Sequence, residues 1–429
     1  MKITRHPLII VFSVCFLLSA FFVKTDIQKA SIQPKWIEGV LLSVNDVMEK
    51  DGILTLFCGD VIVNVFYPQT DFFAGDVIRA DGLLFDNRDT QKSEYPLYLM
   101  SKGYKYSLKA KKVEKISGTN VETSPLKFAR RMLNSKIDRL YFRHSGIVRA
   151  LVTGDRDFIT KDEKDTFSKA GISHLISISG FHVLLISGII FGSFFFLPTK
   201  LRYSVSAVFT LFYVALTGFA SPSVRAYVFY VTYLMSIVLY ERYDIFSIGF
   251  LLSSVYMAIN PYILLDAGFC LSFLSVFSIA MFYRGIYRFI ARRLKKESLK
   301  PVISLIAVTL SAQVLTFPYV CVNFGIYGTY SLPANIICVP LISFLYPFMI
   351  LSLVFADIPM IASVFVNIVN FALDIFYTWL DFVVSLPFSY FETGKEHAVW
   401  LALYVAAVFL FYFVSLNLKI VSNRIDSVE

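Results

Sequence analysis

Gly171-Ile172-Ser173-His174-Leu175-Ile176-Ser177-Ile178-Ser179-Gly180-Phe181-His182 runs without a break into Val183-Leu184-Leu185-Ile186 and on to Leu197. The stretch sets two histidines and three serines at the head of a run apolar enough to enter a bilayer. A polar group in hydrocarbon is costly unless it finds a partner or water, so such a cluster marks a functional-site candidate. Just upstream, Gly154-Asp155-Arg156 opens a polar loop, and Lys161 to Lys169 reads as a short helix leading into the stretch.

The whole chain shares this character. Of its 429 residues 56% are hydrophobic and 17% aromatic, with a mean hydropathy of +0.64; soluble domains hold about 45–50% apolar residues. We therefore expect a polytopic α-helical membrane protein with about ten spans, each needing about 20 apolar residues. The first is Leu8–Val23, behind Lys2, Arg5 and His6. Its shape also fits a secretory signal, but no small-x-small cleavage pattern follows Phe21-Phe22-Val23, which favours a retained anchor. Further spans are placed at Leu175–Leu197, Tyr203–Gly218, Val224–Tyr240, Ile245–Ile259, Ile263–Tyr283, Val302–Val322, Leu332–Phe355, Ile361–Leu386 and Ala398–Val414. Ile361–Leu386 carries Asn367, Asn370, Asp374 and Asp381, so it fits an interfacial position as well, which would reverse the C-terminus.

Loop charge orients the chain. Lys200, Arg202, Arg242, the run from Arg284 to Lys300, Lys419 and Arg424 fall on one side, while the loops around Ser221, Asn260 and Asn323–Tyr330 lack Lys and Arg. The positive-inside rule then puts the N-terminus in the cytoplasm. The net charge of +9 follows largely from that need and is weak evidence for nucleic acid.

Between anchor and spans the pattern changes to strands. Ile53–Phe57 and Val61–Phe66 flank a Cys58-Gly59-Asp60 turn, with further strands at Trp36–Val44, Asp76–Phe85 and Gly103–Val113. That number of short strands suits a small OB-like β-barrel, expected to be extracytoplasmic. In the last strand Tyr104, Tyr106, Leu108 and Ala110 alternate with Lys105, Ser107, Lys109 and Lys111. From Pro125 a basic amphipathic helix follows, with Arg130 and Arg131 on its polar side. The expected domains are thus an anchor (1–23), the OB-like domain (24–117), basic amphipathic helices (118–170), the polytopic domain (171–417) and a tail (418–429).

Several motifs then occur in order: Gly154-Asp155-Arg156, Phe167 through Val183, Gly218 to Ala226 around Pro222-Ser223 and Arg225, and Asn260-Pro261 with Asp266-Ala267-Gly268-Phe269 and Leu271-Ser272-Phe273. Asn87 to Gly103 precedes them, and Gln313, Pro318, Phe324, Asn335 and Pro340 follow. Over roughly residues 10 to 355 the chain resembles the ComEC family of competence proteins. That resemblance implies a plasma-membrane channel, or a component of one, that moves single-stranded DNA across the bacterial inner membrane during natural transformation. It also implies a separate DNA receptor and a cytoplasmic ATP-driven motor, since no P-loop is present, and leaves a homo-oligomer open. Many such proteins add a metallo-β-lactamase-like nuclease domain. Here the only histidines are His6, His144, His174, His182 and His397, with no H-x-H-x-D-H run, so we expect no enzyme, no metal and no cofactor. Nuclease activity would come from another protein.

Candidate residues for the transport path or its polar lining are His174, Ser179, Gly180, His182, Arg225, Asp266, Gly268 and Asn335; for DNA binding they are Tyr104, Lys105, Lys109, Lys111, Arg130 and Arg131. Arg225 lies inside a span, where a charge costs about 2.5–3.5 kcal/mol, and Asp266 is its expected counter-charge. Helix glue, an ion pair locking two helices and a solvated strand face are the plainer readings of the same residues. His174 and His182 would sit on nearby helix faces. Five cysteines lack metal or disulfide spacing and suit packing. Other classes stay open: a small-solute transporter, a structural membrane component, or a rhomboid-like intramembrane serine protease, although Ser177 replaces the first glycine of its G-x-S-G motif.

Overall fold

The computed structural model describes residues 7–27, 34–50, 53–66, 72–73, 75–88, 95–117, 125–294, 297–393, 403–404 and 407–408. Along the chain, α1 (Pro7–Ile27) precedes β1 (Lys35–Ser43), β2 (Asp46–Lys50), β3 (Ile53–Cys58), β4 (Val61–Phe66), β5 (Val77–Asp86), α2 (Tyr95–Ser101) and β6 (Tyr106–Ser117). Helices α3 (Pro125–Leu140), α4 (Ser145–Val152) and α5 (Lys161–Lys169) lead to α6 (Gly180–Ser193), α7 (Thr199–Leu216), α8 (Ser221–Val238) and α9 (Ile245–Ile259). A 3-10 turn, Pro261–Leu265, introduces α10 (Ala267–Leu294). After it come α11 (Lys300–Phe324), β7 (Ile326–Gly328), α12 (Ser331–Val354), α13 (Pro359–Ser385) and β8 (Tyr390–Glu392). The chain divides into two compact units, Met1–Lys136 with Gly180–Cys270, and Ile137–Ser179 with Leu271–Glu429.

In the first unit six strands form one sheet in the order β1-β5-β6-β4-β3-β2, antiparallel except for β4 beside β6. Alternation makes the sheet amphipathic: Leu54, Leu56 and Cys58 of β3 and Val63 and Val65 of β4 meet Ile78, Ala80 and Leu108 in a closed core. Burial pushes the Cys58 thiol up to about 11, so it stays a neutral packing group. The two outermost strands are consecutive in sequence. Val44 exchanges backbone hydrogen bonds with the Gly75-Asp76 stretch (2.7 and 2.8 Å), and Asn45 donates to Phe57 (2.7 Å). One peptide thus hands the chain from the β5 side to the β3 side. The expected strand Trp36–Val44 is β1, and a further strand that the sequence does not announce, β2, follows it from Asp46.

Also in this unit, α1 lies against α9 and the 3-10 turn, while α6, α7 and α8 pack together. Val23 and Ile27 of α1 meet Leu97 and Met100 of α2, and Tyr262 and Leu265 of the turn. The expected helix from Ile263 is corrected: Asn260 accepts from the Tyr262 amide (3.1 Å) to cap the 3-10 turn, and α10 begins only at Ala267.

In the second unit α12 and α13 form an antiparallel hairpin, β7 pairs with β8, and α4 and α5 pack on the hairpin. A capping box, Thr160 with Glu163, starts α5. The expectation of a span from Leu175 is also corrected. Residues 171–179 form turns, and α6 begins at Gly180. The left-handed Gly171 (φ 72°) ends the preceding helical turn, and its N–H still bonds Ser168 O.

Among the described residues five helices are long and apolar enough to cross a membrane: α1 from Leu8, α10, α11 with the short turn before it, α12 and α13. With its N-terminal β-sheet domain, this is a helical membrane protein. Helices α6 and α9, of 14 and 15 residues, are apolar but shorter than the ~20 residues a span needs. Of the expected last span, Ala398–Val414, only 403–404 and 407–408 are described.

Candidate functional site

In the first unit the polar centre is Arg225. Helix α7 ends in Gly218 (φ 72°) and Phe219 (φ 52°), and this left-handed pair turns the chain so that α8 starts at Ser221-Pro222. Arg225 then lies one turn in, only 1% exposed, the largest fully buried side chain among the described residues. Its Nη1 donates to Ser221 Oγ (2.5 Å) and its Nη2 to Gly268 O (2.7 Å). Phe269 lies 5.9 Å from the guanidinium. Each hydrogen bond to a charged group is worth about 1.5–3 kcal/mol, enough to offset the cost of carrying the charge into the membrane.

Asp266 is a neighbour but takes a different salt bridge from the one expected. Its Oδ2 receives Lys102 Nζ at 2.6 Å, and its Oδ1 receives the Gly268 amide at 2.9 Å, capping α10. Nearby, Asn260 Nδ2 donates to Ser101 O (2.9 Å). On the other side of α2, Arg88 joins Asp86 (2.6 Å) and Asp26 (3.1 Å), and Tyr262 donates to Asp26. The Asn-Pro and Asp-x-Gly-Phe motifs therefore cap the 3-10 turn and α10, and they also tie α2 down. Nothing in sequence singled out Lys102, because its partner is 164 positions away. Lys102→Ala should cost about 1–3 kcal/mol by leaving a buried carboxylate without its cation. In thermal unfolding, Lys102→Ala with Asp266→Asn should melt no lower than Lys102→Ala alone; an unchanged melting temperature in Lys102→Ala would show that the bridge contributes nothing.

Gly180 and His182 start α6. A β-carbon on Gly180 would stand 3.4 Å from Ala226 Cβ, so α6 and α8 approach closely beside Arg225. His182 is fully buried, its ring 5.6 Å from Phe181.

The second unit holds His174, Ser179 and Asn335. Since residues 171–179 are not helical, the expectation that His174 and His182 sit on nearby faces of one helix is corrected. His174 is exposed. Ser179 is half-buried. Asn335 is buried, donating to Ser331 O (2.7 Å), while Gln313 donates to Ser331 Oγ (2.9 Å). Against this turn lie two glycines: a β-carbon on Gly171 would fall 2.5 Å from Ser331 Cβ, and one on Gly328 would fall 2.4 Å from Lys169 O. Asp155 sits 3.5 Å from Arg149, which also binds Asp138. Among the described residues no group of three or more His, Cys, Asp or Glu is disposed to hold a metal.

On the sheet, one register row crosses all the strands: Trp36, Leu83, Lys109, Asn64, Thr55, Met48. Trp36 and Met48 are each 45% exposed, and Lys109 lies 5.1 Å from the Phe85 ring. Lys105 and Lys111 are exposed, the latter at a bulge where Gly82 admits the Lys109 carbonyl 2.2 Å from its β-carbon position. Tyr104 packs on Phe57 (5.2 Å), and burial, with Asp46 and Cys58 nearby, raises its phenol pKa. Arg131 is exposed, and Arg130 lies beside Gly218.

Residues 151–418 match the family model described as Competence protein. The chain belongs to that family. Competence-family relatives or similar proteins include ComE operon protein 3 of Bacillus subtilis, 30% identical over 56% of this chain and 29% of that protein. Recombination protein 2 of Haemophilus influenzae is 26% identical over 49% of the chain and 28% of its own length, and the uncharacterized protein YcaI of Escherichia coli is 24% identical over 47% and 28%. The match thus spans under a third of each of these relatives. No solved structure matches the chain. Arg225, Asp266 and Asn335 all fall inside the competence region, whereas the β-sheet lies outside it.

Proposed function

We propose that this chain is the membrane component through which single-stranded DNA crosses the bacterial cytoplasmic membrane during natural transformation. The observation that carries the reading is the competence match over 151–418, which contains the buried Arg225 site. The β-domain reads as an OB-type barrel in which β1 and β2 are two halves of one bent strand, joined through Val44-Asn45. Its outer row offers an aromatic ring, apolar side chains and a cation together, the combination that stacks bases and holds phosphates. The loop-charge asymmetry supports an outward-facing position for this domain, on the side from which DNA arrives. Within the first unit His182 is read, alongside Arg225, as a polar-lining residue, and Asn335 is read as one in the second unit.

A deletion strain should lose uptake of exogenous DNA; uptake and integration at the wild-type rate would remove the import reading. On the sheet, Lys109→Glu with Trp36→Ala should weaken binding of a labelled oligonucleotide by about tenfold or more, since each stacked base is worth about 1–3 kcal/mol. Binding should also fall steeply with salt. Anisotropy titrations read both effects, and unchanged affinity would move the DNA contact elsewhere.

A further inference from the structure

Helix α13 presents a polar face along its length. Ser363, Asn367, Asp374, Thr378, Asp381 and Ser385 recur at steps of three, four or seven residues, which on an α-helix is one stripe. Its ends lie roughly 33 Å apart at about 1.5 Å per residue, close to the ~30 Å of a hydrocarbon core. All but Asp374 are exposed, and Asp374 is partly so. One or two positions back, Ala362, Val366, Leu373, Phe376, Leu380 and Val383 are buried. One position on, Val364, Ile375 and Phe382 are exposed and apolar. The helix thus has a packed face, a polar face and a face suited to lipid.

The middle of the stripe carries charge. Asp374 binds Arg143 (3.1 Å) and His144 Nε2 (3.0 Å), and the Arg143 side chain is 78% exposed. An exposed guanidinium and carboxylate in hydrocarbon are strongly unfavourable. One turn on, Tyr377 donates to Glu163 (2.8 Å) of α5, whose Lys161, Asp162 and Asp165 are exposed. The Ser363, Thr378 and Ser385 hydroxyls bond carbonyls of their own helix. Asn367 and Asp381 have no such recourse, and among the described residues neither has a hydrogen-bond or ion-pair partner.

We infer that the stripe is wetted, so that α13 forms one wall of a water-filled crevice and meets lipid only on the face of Val364, Ile375 and Phe382. In the DNA-import reading, on which this last step rests, Arg143 offers a cation to passing phosphates half-way along that wall.

The test is cysteine substitution in the full-length protein in its membrane, followed by a membrane-impermeant maleimide. Cys58, Cys321 and Cys338 are buried, and the unsubstituted protein sets the background. Asn367→Cys, Thr378→Cys and Asp381→Cys should react about tenfold faster or more than Val364→Cys, Ile375→Cys and Phe382→Cys, because only a hydrated thiol ionises readily. Equally slow reaction on both faces would overturn the inference. So would disulfide-linked dimers forming through the stripe in place of labelling, since a second copy would then cover it. No DNA is present in this measurement, so its failure is distinct from failure of the import reading. Arg143→Gln should then lower DNA uptake about tenfold or more while Thr378→Cys labelling is unchanged; undiminished uptake would remove Arg143's part.

Discussion

Arg225→Lys should abolish or severely reduce DNA uptake although it preserves the charge. The guanidinium uses two separate nitrogens, one on Ser221 and one on Gly268. A lysine ammonium is a single point and cannot reach both at those distances. Losing one charged hydrogen bond is worth about 1.5–3 kcal/mol, a factor of about ten or more in any equilibrium that depends on it. The variant keeps a cation, so the protein should still reach the membrane. Transformation frequency, measured beside the amount of membrane-inserted protein, decides the matter. Normal uptake in Arg225→Lys would mean that charge alone is required and that the fork joining α8 to the start of α10 is incidental. Arg225→Ala should be worse, because it also opens a void in the core.

The second large effect is on folding. Gly171→Ala should destabilise the second unit by about 2–5 kcal/mol, summing a left-handed backbone penalty of about 1–2 with an overpacking cost of about 1–3. The added carbon meets Ser331 Cβ, which is fixed to a helix and cannot swing aside. Gly328→Ala should behave alike, since Lys169 O occupies the space. Gly188→Ala on α6, with nothing within 4 Å, is the matched control and should be neutral. Thermal unfolding and the yield of membrane-inserted protein read this directly; a Gly171→Ala protein melting with the parent would show that the turn can yield.

The contrast between these residues shows what could be read in the sequence. Arg225 stands out because an arginine in an apolar run is locally anomalous, whereas nothing local marks the tight contacts of Gly171. The helices from α7 onward were likewise visible in apolar runs and the prolines and glycines between them. The start of α6 was misplaced by five residues because Leu175-Ile176-Ser177-Ile178 is apolar enough to continue a span, and only the contacts of the Gly171 turn hold it out of a helix. Asp266 was given the wrong salt bridge for a related reason. Sequence offers charge and position within a span, but Lys102 comes from the turn that follows α2, far away along the chain. The sheet row from Trp36 to Met48 was invisible because cross-strand register depends on the bulges, which one sequence does not reveal. On α13 the polar residues were noticed, but their alignment with Arg143 and His144 needed the fold.

The docking of α2 bears on how the β-domain can be studied. Met100 is 2% exposed because Tyr262 and the end of α1 cover it, with Leu97 beside it. A soluble fragment carrying only residues 34–117 would expose that patch and free Lys102 and Ser101 from Asp266 and Asn260. Such a fragment would self-associate through α2, and its oligomers would say little about the native protein. Polar replacements at Leu97 and Met100 are the change to make first when preparing the fragment for DNA titrations, since both lie off the Trp36 row and leave it intact.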